Sequence, residues 1–147
     1  MGMYTGLRIK VTVKEEYRSM INQINKGAAW SEFVEQFPFL SNYAALNRAG
    51  SIPNGILCYM PSSWETGEYP NGIATDGFDT KIDMNTGYWS FQCSLKNYER
   101  EIEKFFDEVL VNIISNSEHI EYLYEEWDES NYYNFVNGSI KSISDQV

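Results

Sequence analysis

Between Tyr88 and Leu95 the side chains alternate without a break, with Trp89, Phe91, Cys93 and Leu95 on one side and Tyr88, Ser90, Gln92 and Ser94 on the other. Strict period two marks a strand with one buried face. Beyond Leu95 the period changes. Tyr98, Ile102, Phe105, Phe106, Val109, Leu110, Ile113 and Ile114 recur at helical spacing, and Glu99, Arg100, Glu103, Lys104, Asp107 and Glu108 fall off that stripe. Each such side chain contributes roughly 1.5–3 kcal/mol when buried, so a helix this apolar along one side needs a sheet to cover. Asn97 is placed to cap it, and Glu99 and Glu101 suit the positive end of its dipole. Phe78 to Met84 supplies a partner strand, joined through Asn85-Thr86-Gly87, whose glycine can take the positive φ of a tight hairpin loop.

The flanking chain fits the same class. Leu7, Ile9, Val11 and Val13 alternate with Arg8, Lys10 and Thr12, giving a first strand with one apolar side. Thr12 and Glu15 have capping-box spacing ahead of a helix carrying Tyr17, Met20, Ile21 and Ile24, which Gly27 should stop. Ser31 can cap a shorter helical piece that breaks near Pro38, and a further turn or two runs from Phe39 to Asn47. Residues Lys14 to Ala49 should thus cross one side of the sheet. Ile56-Leu57-Cys58-Tyr59-Met60 is apolar on both sides, as expected of a central strand covered on two faces. Ser62 to Asp76 shows no period and reads as a long binding or disordered loop. After a connection over Ser115 to Glu118, Ile120 to Trp127 reads as a strand with Tyr122 and Tyr124 on one face and Leu123 and Trp127 on the other. Asp128 to Asn131 turns the chain, Tyr132 to Val136 returns, and Asn137-Gly138 signals a type I′ hairpin into Ser139 to Ile143. Residues 144–147 should fray. The expected architecture is one α+β domain spanning 1–147. Its antiparallel or mixed sheet of about six strands is covered by one long helix in the C-terminal half and by the N-terminal helical segment.

A length of 147 residues can support a core without metal or disulfide help. Cys58 and Cys93 stand in no metal-ligand spacing and read as small buried hydrophobes of a reducing cytoplasm. No apolar run is long enough to cross a bilayer and no charged-then-apolar leader opens the sequence, so a cytoplasmic protein without membrane contact is expected.

The formal charge of −10 argues against direct nucleic-acid binding, which needs clustered Lys and Arg. That charge is uneven. Residues 1–60 hold six Lys or Arg against four Asp or Glu, whereas residues 61–147 hold five against seventeen. Glu118, Glu121, Glu125, Glu126, Asp128 and Glu129 lie in a stretch without Lys or Arg, interleaved with Tyr122, Tyr124 and Trp127. Like charges this close repel, and a basic partner would relieve them. The candidate partner-binding residues are therefore Glu121, Tyr122, Tyr124, Glu125, Glu126, Trp127, Asp128 and Glu129. Trp64 and Tyr69 join them as aromatics of the acidic loop, with burial of Trp64 at the core edge as the alternative for that residue.

Signals for catalysis are sparse. The single histidine, His119, reads as a satisfied surface or edge residue, and neither a nucleophile elbow nor a phosphate-cradling glycine loop occurs. No cofactor is expected. Asp79 with Asp83, or Glu121 with Glu125, would share strand faces, which leaves a small-ligand or metal-dependent enzyme under the 62–77 loop as the alternative function. An oligomeric scaffold pairing through its sheet edges is a third.

In size, acidity and aromatic content the chain resembles small proteins encoded by phages and mobile elements, among them anti-CRISPR proteins, other defence inhibitors and toxin-immunity proteins. The resemblance is one of size and charge and carries no residue with it. It implies a non-catalytic inhibitor whose protein partner is basic, for example one that otherwise binds nucleic acid.

Overall fold

A computed structural model of the chain describes residues 3–61, 64 and 77–143. Its centre is β1 (Thr5–Val13), which pairs antiparallel with β3 (Tyr88–Leu95) on one side and β4 (Ile114–Tyr124) on the other. Both neighbours run against β1 and are therefore parallel to each other. A parallel pair needs a crossover connection, and the helical run over residues 101–113 supplies it. Among the described residues the sheet is completed by β2 (Lys81–Ile82), β5 (Asn131–Val136) and β6 (Ser139–Ser142), in the order β2-β3-β1-β4-β5-β6. The expected α+β class is the observed one.

The odd-numbered residues of β1 drive the packing. Leu7, Ile9, Val11 and Val13 are fully buried and meet Trp89, Phe91, Cys93 and Leu95 of β3 in one cluster. The helices α1 (Arg18–Asn25), α2 (Ser41–Ala44) and α3 (Ser51–Asn54) lie on that same side, with Met20, Ile21, Ile24 and Tyr43 buried. Gly27, at φ +107°, ends α1 as its position promises. On the same side of the sheet α4 comprises Glu101–Lys104, then the wider π-turns of Phe105–Leu110, then Val111–Ile113, with Phe105 against the Trp30, Tyr43 and Trp89 rings. Ile102, Phe105, Phe106, Val109, Leu110 and Ile113 are all buried, so the stripe read from the sequence is the core-facing side. Among the described residues no helix is long and apolar enough to cross a membrane.

Several local expectations are corrected. The Ile56–Met60 run is not a central strand: Ile56 is 82% and Tyr59 70% exposed, and Tyr59 sits at φ +59°. Its backbone is held by a side chain instead, because the Cys58 N–H donates to Ser94 Oγ at 2.6 Å. Thr12 cannot cap a helix, since it belongs to β1 opposite Tyr88, and the helical turn starts only at Glu15 with no side-chain cap. The segment begun at Ser31 is a short 3-10 turn, Trp30–Phe33, in which the Glu32 carboxylate accepts the Ala29 N–H at 2.7 Å. The Phe78–Met84 strand shrinks to two ladder residues. Asp83 is already in the turn, where its Oδ1 accepts the Asn85 and Thr86 N–H groups. No connection separates α4 from the following strand, because Ser115 to Glu118 lie inside β4. Tyr98 leaves the helical stripe and is 59% exposed. Asn97 does cap, but one turn late: its Oδ1 accepts the Ile102 N–H at 2.9 Å, with Arg100 at φ +58° between.

Candidate interaction surface

The residues singled out for partner binding lie on β4 and the turn after it, and pairing with β1 divides them between two faces. Tyr122 and Tyr124 stand opposite Leu7 and Thr5, on the helix side of the sheet. Glu121 and Leu123 stand opposite Arg8 and Gly6, on the other side.

That second face carries an internal polar network. Glu121 is only 6% exposed, and its carboxylate meets His119 Nε2 at 2.7 Å and accepts the Ser130 hydroxyl at 2.5 Å. Burial alone would push the Glu121 carboxyl up, yet the hydrogen bonds from His119 and Ser130, aided by the charges of His119 and Arg8, hold it below the usual carboxylate range. Arg8 donates from Nε to Gln92 Oε1 at 3.0 Å, and its guanidinium lies 4.4 Å from the ring centroids of both Trp64 and Phe78. Glu121 is thus withdrawn from the partner-facing set, because its lone pairs are spent on groups inside the fold. Trp64 is withdrawn as well. It is 3% exposed and packs with Met60 and Leu123, so the core-edge alternative is the one realised. Tyr69 lies outside the described residues.

On the helix side the chain leaves the sheet at Tyr124, and the Trp127 N–H donates to the Tyr124 carbonyl at 2.9 Å. This turn ends the strand alternation. Trp127 therefore folds towards the tyrosines rather than joining Leu123, with centroids 5.7 Å from Tyr122 and 6.0 Å from Tyr124. Glu125 is partly buried and tied to the start of β1: its carboxylate accepts the Tyr4 N–H, and its own N–H donates to the Tyr4 carbonyl at 3.0 Å. Glu126, Asp128 and Glu129 are exposed, and Trp127 is 46% exposed among them. Tyr122 is anchored from below, where its hydroxyl donates to Glu103 Oε2 at 2.8 Å. Burial first, and then the Glu103 carboxylate, push the Tyr122 phenol well up, so it stays protonated and a donor. Sequence reasoning missed Asn97, Tyr98 and Glu103 as neighbours of this surface. Only the position of Asn97 ahead of the stripe hinted that a structured corner lay there.

Three of the carboxylates considered for metal chemistry are engaged within the fold. Asp83 is occupied by backbone amides that lower its pKa, and Glu121 and Glu125 are engaged separately, as described. Among the described residues no group of three or more His, Cys, Asp or Glu could hold a metal ion. His119 is turned onto Glu121 and flanked edge-on by Phe78 and Tyr132. Compared with models of known protein families, with curated proteins and with solved structures, the chain matches none.

Proposed function

We propose that the protein is a non-catalytic interaction protein that docks its β4–β5 turn onto a basic protein surface, of the kind that otherwise holds nucleic acid, and blocks it. The observation that carries this reading is the exposure of Glu126, Asp128 and Glu129 around Trp127, in a stretch with no Lys or Arg between Lys104 and Lys141. Exposed charges within a Debye length of about 8 Å repel, and a cationic surface turns that repulsion into attraction. Trp127, braced by two tyrosine rings, offers the large rigid contact area that dominates many interfaces. Loss of a basic ligand-binding surface on the partner would make the complex inhibitory.

The experiment compares capture of partner from source lysate by the wild type, by a Glu126→Lys, Asp128→Lys, Glu129→Lys variant, and by a control reversed at the exposed Glu15, Glu16 and Glu35. The wild type and the control should retain the same basic protein, and the turn variant should lose it. Equal capture by all three baits would remove the proposal.

A further inference from the structure

Beside the docking turn, the chain leaving β3 and the end of β4 border a cavity of about 330 Å³, lined by Tyr98, Tyr122, Tyr124, Asn97, Glu103 and Arg100. Its base is prepared for a positive charge. Glu103 accepts from Asn97 Nδ2 at 2.8 Å through one oxygen and from the Tyr122 hydroxyl at 2.8 Å through the other. Both donors are neutral, so they fix the direction of the carboxylate without cancelling its charge. Among the described residues Glu103 has no ion-pair partner. Asn97 is itself immobilised, since its Oδ1 caps Ile102 while its Nδ2 serves Glu103. Three tyrosine rings line the walls, and aromatic faces attract cations within about 6 Å of the ring centroid. Glu103, Asn97 and Tyr122 are held by one another, so their orientation costs are met before anything binds, while the Tyr98 ring, which already carries the Arg48 guanidinium 5.3 Å from its centroid, forms the exposed wall.

We infer that this tyrosine-lined cavity receives one cationic side chain of the partner, a lysine or an arginine, with its charged head at Glu103. The inference rests on the docking proposal and names the chemistry of the partner's anchor. Arg100, exposed on the rim, sets the polarity of the site, because an incoming cation is repelled from the rim and drawn to the base.

The test needs no partner. N-acetyl-lysine-methylamide and N-acetyl-arginine-methylamide are titrated into the full-length protein, with the uncharged N-acetyl-norleucine-methylamide as control, and amide chemical shifts are followed by NMR. At least one cationic probe should give saturable shifts at Thr5, Asn97 to Glu103, Tyr122 and Tyr124, at concentrations on the order of millimolar or above, as suits so small a ligand. Whichever probe binds tighter identifies the anchor. Glu103→Gln should weaken that probe at least about fivefold, and Arg100→Gln should tighten it. Should Glu103→Gln fail to fold, Tyr98→Ala, which alters an exposed ring, should weaken binding in its place. Equal binding of norleucine, absence of saturable shifts at these residues, or weakening by Arg100→Gln would each overturn the inference. The docking proposal fails separately, through the turn-reversal variant, so a protein that captures its partner by Glu126, Asp128 and Glu129 yet ignores the probes sinks only the anchor.

Discussion

Replacing Glu121 with alanine should destabilise the protein by about 3 kcal/mol, because two hydrogen bonds to a charged, buried acceptor are each worth roughly 1.5–3 kcal/mol. The two bonds are those from His119 at 2.7 Å and Ser130 at 2.5 Å; the third contact, from the Tyr132 hydroxyl at 3.4 Å, is too long to add much. Arg8 would keep Gln92 and its two ring neighbours but lose a nearby negative charge; against these losses alanine removes the cost of burying the Glu121 carboxylate, which places the net at the lower end of the two-bond range, about 3 kcal/mol. Glu126→Ala, at an exposed position of the same stretch, should stay within about 0.5 kcal/mol. Urea unfolding read by fluorescence separates the two, since a slope of about 1–3 kcal/mol per molar turns the first loss into a midpoint shift of about 1–3 M. The pH dependence carries the same signature. Because folding lowers the Glu121 pKa, its contribution is complete above the unfolded carboxylate range and is lost as pH falls through the lower folded value. Wild type should therefore lose more stability on acidification than Glu121→Ala. A common midpoint for Glu121→Ala and Glu126→Ala would refute the burial argument and return Glu121 to the surface.

Two further changes test the frame around the site. Arg100→Gly should raise stability by about 0.5–1 kcal/mol: a left-handed residue with a side chain costs about 1–2 kcal/mol, of which the extra freedom of glycine in the unfolded chain takes back about 0.5–1. A thermal scan checks it, and a lower melting temperature would contradict the φ of +58°. With a thiol reagent under native conditions, Cys58 should react and Cys93 should not, because Cys93 is fully buried and burial pushes its thiol up, out of reach of the thiolate. Labelling of both cysteines at equal rates in the folded protein would contradict the placement of β3 in the core.

Periodicity made the core legible and the surface only half so. The α4 stripe and the β3 alternation survived because burial acts on each side chain separately, wherever the rest of the chain goes. Asn137-Gly138 was legible for a local reason: both residues take positive φ, +52° and +79°, as a type I′ turn requires. Ile56–Met60 misled because an apolar run without a period is equally compatible with a strand and with a segment strapped over a sheet. There the hydroxyl of Ser94, distant in sequence, took the place of a ladder.

Glu121 and Glu126 show why a run of acidic residues cannot be read as a surface before strand pairing is known. The two differ by five positions and carry the same group. What separates them is the β1–β4 register, which sets Arg8 beside Glu121 and releases the chain from the sheet after Tyr124. A shift of one residue would exchange the faces, exposing Glu121 and driving Tyr122 away from Glu103. Internal network and docking surface are thus two consequences of one pairing. Any change that slips β4 along β1 should damage stability and partner capture together, whereas a change confined to Glu126, Asp128 and Glu129 should touch capture alone.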